Sequence, residues 1–199
     1  MGGVGLGLAA TLATMSTMPE IGAGVYGQLA MFGGAGGAVG YGLASRIGPT
    51  QLPQAVAGFH CLVGLAATAT AVGDFMVHDI AQMSNFHSTS LFLGAWMGAI
   101  TTTGSIIACG KLAEILDSKP LQLPNRDYIN MGLGGLSATS LLGFVATADP
   151  TLAALCLGTG ISSSGALGFH MTGSIGGADM PVVITLLNSY SGASVSRRI

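Results

Sequence analysis

The sequence predicts an all-α protein, a polytopic transmembrane bundle of about six to seven helices. Three observations carry this. Six basic and eight acidic residues are all the charge in 199 residues, 7%, while half the chain is hydrophobic. A soluble domain covers itself with about 25% charged residues. The charges are also clustered, which leaves uncharged stretches at 1–19, 21–45, 47–73, 80–110, 128–148, 150–178 and 180–196. Finally, Pro19, Pro53, Pro120, Pro124, Pro150 and Pro181 fall near the ends of these stretches, where chain reversals belong. Disorder is excluded, because it needs low hydrophobicity and the mean hydropathy is +0.67.

Each stretch is near or above the roughly 18–20 residues that a helix needs to cross the hydrocarbon core. Six read as complete spans and the seventh as an incomplete one. In lipid the backbone must pair with itself, so the spans are helical. The first 20 residues, MGGVGLGLAATLATMSTMPE, lack a basic leading segment and read as a span rather than a signal peptide.

The sign of the loops gives an orientation. Arg46 lies in the second loop and Lys111, Lys119 and Arg126 in the fourth, whereas the first, third and fifth carry Glu20, Asp74, Asp79 and Asp149 without a Lys or Arg. The even loops, with the sixth at 173–179, are therefore expected on the cytoplasmic or matrix side. Arg197 and Arg198 break the alternation, as they would if the last helix did not complete its crossing.

Glycine supplies expected contacts. In GGAGGAVGYG, Gly33 with Gly37 and Gly36 with Gly40 are small-xxx-small pairs of the kind that bring membrane helices close. Cys61, Cys109 and Cys156 stand singly, without metal-type spacing, and read as small buried apolar residues. A net charge of -2 with no basic stripe gives no sign of nucleic acid.

Chemistry is sought among the few polar groups inside the spans, each costing about 2.5–3.5 kcal/mol on insertion scales. His60, in QAVAGFHCLVGLAATAT, shares a face with Gly64, Ala67 and Thr68. That narrow, weakly polar stripe suits a path for water or a proton, or else His60 simply bonds a neighbouring helix. His170, in SGALGFHMTGSIGG, is the second intramembrane histidine. A haem held between His60 and His170 is a weaker alternative, because each helix offers one ligand only. His78 and His87 lie in or beside the acidic third loop and read as solvated.

The stretch GGADMPVVITLLNSYSG contributes two more candidates. Asp179 precedes Met180 and Pro181, the pattern of a helix N-cap. Its charge has either that capping role or a signalling one. Asn188 lies nine residues on, about 13 Å deeper and on the opposite face, with Thr185, Ser191 and Gly192 on its own face. An amide at that depth needs a partner, either a helix or an internal water.

Together with LPQAVAGFHCLVGLAA and TTGSIIACGKLAEILDSKPLQLPNR, that stretch resembles the membrane domain of proton-translocating nicotinamide nucleotide transhydrogenase, over nearly the whole chain to about residue 192. The resemblance implies an enzyme that couples hydride transfer from NADH to NADP+ with proton translocation. Residues 1–192 would be its proton-channel domain and 193–199 a divergent tail, with no nucleotide-binding domain in this chain. It implies that His60 is the membrane histidine of proton conduction, Asn188 the channel asparagine, and Asp179 the loop acid near the NADP(H) domain. It further implies that this chain binds no cofactor itself, NAD(H) and NADP(H) being held by other domains. The expected partners are those domains, membrane lipid and a second copy. The expected location is the mitochondrial inner membrane or, in a bacterium, the cytoplasmic membrane. The family's first membrane helix and the helix after Asn-Ser-Tyr-Ser-Gly have no counterpart here, so a fragment inactive alone is expected. The rival expectation is a self-contained transporter or structural membrane subunit using the same polar residues.

Overall fold

The computed structural model describes residues 2–17 and 22–196, with side chains of the last helix as far as residue 189. Every regular element among them is helical. Residues 1–48 and 49–199 pack as two separate units.

The first unit holds α1 (Gly2–Ser16) and α2 (Ala23–Ala44). They face each other across an apolar cleft lined by Leu12, Met15, Tyr26, Leu29 and Ala30. The close approach expected at Gly33–Gly37 and Gly36–Gly40 is not made within this unit. A Cβ added at any of these four glycines meets nothing within 4 Å.

The second unit holds α3 (Leu52–Val77), α4 (Asn85–Leu112), α5 (Arg126–Ala146), α6 (Pro150–Gly173) and α7 (Met180–Ser196). Short 3-10 turns at Pro49–Gln51, Ile80–Gln82 and Gly177–Asp179 lead into or join them. α4 is the central helix, packed against α3, α6, α7 and, more lightly, α5. The helix starts follow local chemistry. Ser84 Oγ accepts the His87 N–H at 3.2 Å to begin α4, and Asp149 Oδ1 accepts the Thr151 N–H at 2.8 Å beside Pro150 to begin α6. α4 ends where Glu114 takes a left-handed φ of 58°, letting the N–H groups of Ile115 and Leu116 turn back to the Gly110 carbonyl at 2.9 and 3.0 Å.

Among the described residues seven α-helices thus match the seven uncharged stretches, and four of them meet the length and apolarity of a complete span. Among the described residues, 49–77, 85–112, 126–146 and 150–173 are the helices both long and apolar enough to cross a membrane. The described α1 has 15 residues and α7 has 17, while eight glycines dilute the hydropathy of the 22-residue α2. An absence of charge is not the same as apolarity.

Lipid offers no hydrophobic gain for helix association, so steric fit and polar pairs must position the helices. One close fit joins α3 to α4, and Gly168 of α6 lies equally tight on the Ile100 backbone of α4. A Cβ on Gly64 would lie 2.7 Å from the Gly98 carbonyl oxygen, and one on Gly98 would lie 2.7 Å from the Gly64 carbonyl oxygen. Backbone meets backbone there, and Thr68 Oγ1 adds a bond to the Ala95 carbonyl across the crossing at 3.4 Å. Beyond it Phe92, Phe144, Leu91, Ile80 and Leu157 form one core, with the Phe92 and Phe144 rings 5.7 Å apart. A second core joins Ala57 of α3 and Ala108 of α4 to Met180, Val183, Ile184 and Leu187 of α7. Those four residues recur at helical spacing, which fixes the rotation of α7 against α3 and α4.

Candidate functional site: a histidine–asparagine pair between α3 and α7

The second core sets the next α7 residue, Asn188, against α3. His60 Nε2 lies 2.8 Å from Asn188 Oδ1, and His60 Nδ1 lies 2.9 Å from the carbonyl oxygen of Val56 one turn earlier. Two sequence candidates 128 residues apart are brought into direct contact. His60 is half-buried. Both ring nitrogens face oxygen, and a neutral imidazole can donate only one proton, whereas imidazolium donates two.

The stripe of small residues beyond His60 is a packing seam. One turn on, Gly64 is closed against the α4 backbone, so the water path expected along Gly64, Ala67 and Thr68 is filled there by α4. Polar groups run along α4 itself. The hydroxyls of Thr101 and Ser105, one turn apart and at most 1% exposed, have no hydrogen-bond partner in the structure. Buried hydroxyls of this kind are usually satisfied by ordered water.

His170 is taken up elsewhere. It is buried on α6, with Nδ1 3.0 Å from Asn130 Oδ1 on α5. Seven residues away on each antiparallel helix, Ser137 and Ser163 join their hydroxyls at 2.8 Å. The two pairs form a polar ladder binding α5 to α6, a helix-joining role. His60 and His170 each spend a ring nitrogen on an asparagine of a different helix, which leaves the haem alternative without support.

Asp179 is not part of the His60–Asn188 contact. It is exposed in the 3-10 turn that enters α7, its own N–H donating to the Gly176 carbonyl at 3.1 Å. Among the described residues no side-chain hydrogen bond of Asp179 to the start of α7 is present, so its carboxylate faces solvent. The 173–179 loop is itself firmly placed. Gly177 N–H donates to the Ser118 carbonyl at 2.8 Å and Leu121 N–H to the Gly173 carbonyl at 3.0 Å.

Lys111 completes that placement. It is 5% exposed, and its Nζ donates to the carbonyls of Gly173 and Ile175 at 2.7 Å each and of Lys119 at 3.2 Å. The sequence offered Lys111 only as a charge that orients the bundle. Its position at the end of α4 beside a Gly-rich loop is the faint signal of a carbonyl-binding cation. Asn130 gave no signal beyond being an amide in an apolar segment.

The fold, with four helices long and apolar enough to cross a membrane among the described residues, and these polar pairs between helices define a polytopic helical integral membrane protein. A family model described as NAD(P) transhydrogenase beta subunit matches residues 1–198. Two relatives from Rhodospirillum rubrum, each named NAD(P) transhydrogenase subunit beta, are 40% identical over 195 residues, covering 94% of this chain and 40% of their own length. The chain belongs to the NAD(P) transhydrogenase beta subunit family, and it spans about two fifths of the length of these relatives.

Proposed function

We propose that this chain is the proton-conducting membrane part of a proton-translocating NAD(P) transhydrogenase, and that His60 is the group that takes up and releases the proton. The carrying observation is the His60 Nε2–Asn188 Oδ1 contact of 2.8 Å, with Nδ1 held at 2.9 Å by the Val56 carbonyl. Two oxygens satisfy the protonated ring. When Nε2 loses its proton, a half-turn of the Asn188 side chain brings its NH2 group to that nitrogen. Asn188, with an acceptor and a donor on one side chain, can therefore meet the ring in either charge state. Histidine suits the task because its charge changes nearest neutral pH. Water at Thr101 and Ser105 would extend the path along α4.

A proton descending 100 mV makes about 2.3 kcal/mol available. That energy does work only if protonation alters the preference of a nucleotide-binding domain between two states. Asp179, exposed in the turn that enters α7, is the residue through which α7 would report to that domain. NAD(H) and NADP(H) belong in this account to other domains of the enzyme, which acts as a homodimer in a mitochondrial inner or bacterial cytoplasmic membrane.

The test uses the assembled enzyme in proteoliposomes. Asn188→Leu preserves bulk but offers the ring no partner, and proton-coupled reduction of NADP+ should fall about tenfold or more while hydride exchange between bound nucleotides continues. Coupling at the parent rate would exclude the pair from the proton path. Asp179→Asn, which removes charge and little else, should change NADP(H) affinity or release. Unaltered nucleotide binding and turnover would reduce Asp179 to a surface residue.

A further inference from the structure

We propose that Asp74, His78 and His87 form a binding site for a zinc-class divalent metal at the far end of the α3–α4 hairpin, about 21 Å along α3 from His60. The two histidines meet one carboxylate from two helices. His78 Nδ1 lies 3.0 Å from Asp74 Oδ1, His87 Nε2 lies 3.0 Å from Asp74 Oδ2, and the three donor atoms all fall within 4.8 Å of one another. Tetrahedral zinc with nitrogen and oxygen ligands at about 2.0–2.2 Å holds its ligand atoms about 3.3 Å apart. The observed separations, from 3.0 Å up to at most 4.8 Å, bracket that value, and side-chain rotation can bring the three atoms to it.

The donor set selects the metal. Two imidazole nitrogens and one carboxylate suit zinc, cobalt or nickel, whereas magnesium and calcium call for oxygen throughout. Three protein ligands leave a fourth position to water. The backbone carbonyl of Asp74, 3.1 Å from His78 Nδ1, is a further oxygen at the same place.

The arrangement is held by the fold rather than by the contacts among the three groups. Asp74 and His78 are one turn apart at the end of α3, where the His78 N–H donates to the Asp74 carbonyl at 3.2 Å. His87 sits in the first turn of α4, its N–H fixed on Ser84 Oγ at 3.2 Å. Between them Asp79 accepts the Ala81 N–H at 3.1 Å, while Ile80, with Phe75 and Met83 packed beside it, locks the turn into the Phe92–Phe144 core. Supporting contacts of this kind keep ligands within the narrow tolerance of a metal site. Side-chain exposures of 22% for Asp74, 53% for His78 and 40% for His87 give an ion access from water. Pairs so exposed contribute little stability by themselves. A shared metal would use the same three groups to tie α3 to α4.

The experiment is calorimetric titration of the chelator-treated, detergent-purified full-length protein with Zn2+, with Co2+ absorption as the spectroscopic probe. One ion per chain is expected, with cobalt bands of a four-coordinate nitrogen–oxygen site and no thiolate charge transfer. Loss of groups that merely orient a ligand costs 10–100-fold in affinity, so His87→Ala and His78→Ala should each weaken zinc binding by about 100-fold or more. Both side chains are exposed, and a monodisperse elution profile verifies that each variant folds. Affinity within about tenfold of the parent in both variants would overturn the site. So would a thiolate band, which would place the ion on a cysteine, or loss of binding in His60→Gln instead.

Discussion

Replacing His60 by alanine in the assembled enzyme is expected to lower proton-coupled hydride transfer by two orders of magnitude or more, the scale of losing a proton-transferring group. The assay pairs nucleotide absorbance with a pH-sensitive dye in proteoliposomes. Exchange of hydride between nucleotides already bound should persist, because that chemistry needs no proton to cross. His60→Asn sharpens the result. It keeps a group able to bond Asn188 and the Val56 carbonyl, so the α3–α7 contact survives, but it cannot titrate. Retained coupling in His60→Asn would make the pair a packing device. Because His60 and Asn188 touch, their effects should not add, and the double variant with Asn188→Leu should couple no worse than His60→Ala alone. Coupling at the parent rate in His60→Ala would end the proposal.

The helices were legible in the sequence because the rule that makes them is local. A backbone in lipid must pair with itself, and a charge or proline marks where it need not, so 128–148 anticipated Arg126–Ala146 and 180–196 anticipated Met180–Ser196. Neighbour relations are not local, and there the sequence misled. The glycines of α2 form the more conspicuous pattern, yet close crossings are made by Gly64 with Gly98, 34 positions apart, and by Gly168 on Ile100, each unremarkable in its own helix. His60 and Asn188 could be named separately from the cost of placing polar groups in lipid. That they meet depends on the rotation of α7, which Met180, Val183, Ile184 and Leu187 set through contacts with α3 and α4. His170 illustrates the converse. By residue type and by lying in an apolar helix it matches His60, and Asn130 across the α5–α6 seam is what makes it a helix-joining histidine.

The second large effect is expected at Lys111. Methionine there preserves the length of the side chain while removing the ammonium, and it leaves the carbonyls of Gly173, Ile175 and Lys119 without their shared donor. A hydrogen bond to a charged group contributes about 1.5–3 kcal/mol. Against this stands the cost of keeping an ammonium that is 5% exposed, so the three bonds do not simply sum. The position at the carboxyl end of α6, where unpaired carbonyls favour a cation, tips the balance toward the lysine. A net loss of about 3 kcal/mol is expected, on the scale of breaking a buried charged contact. For a chain of this length that corresponds to roughly 6–12 °C in the thermal midpoint in detergent. Arginine should not restore it, since a planar fork does not fit three carbonyls converging on one point. The loosened segments are 112–121 and 173–179, the latter carrying Asp179, so limited proteolysis should open there before any helix core. Asp179-dependent effects on nucleotide binding should weaken in the same variant, because a carboxylate on an untethered loop cannot transmit the state of α7. A midpoint within about 2 °C of the parent, with proteolysis unchanged, would show that the Lys111 contacts do not hold these loops.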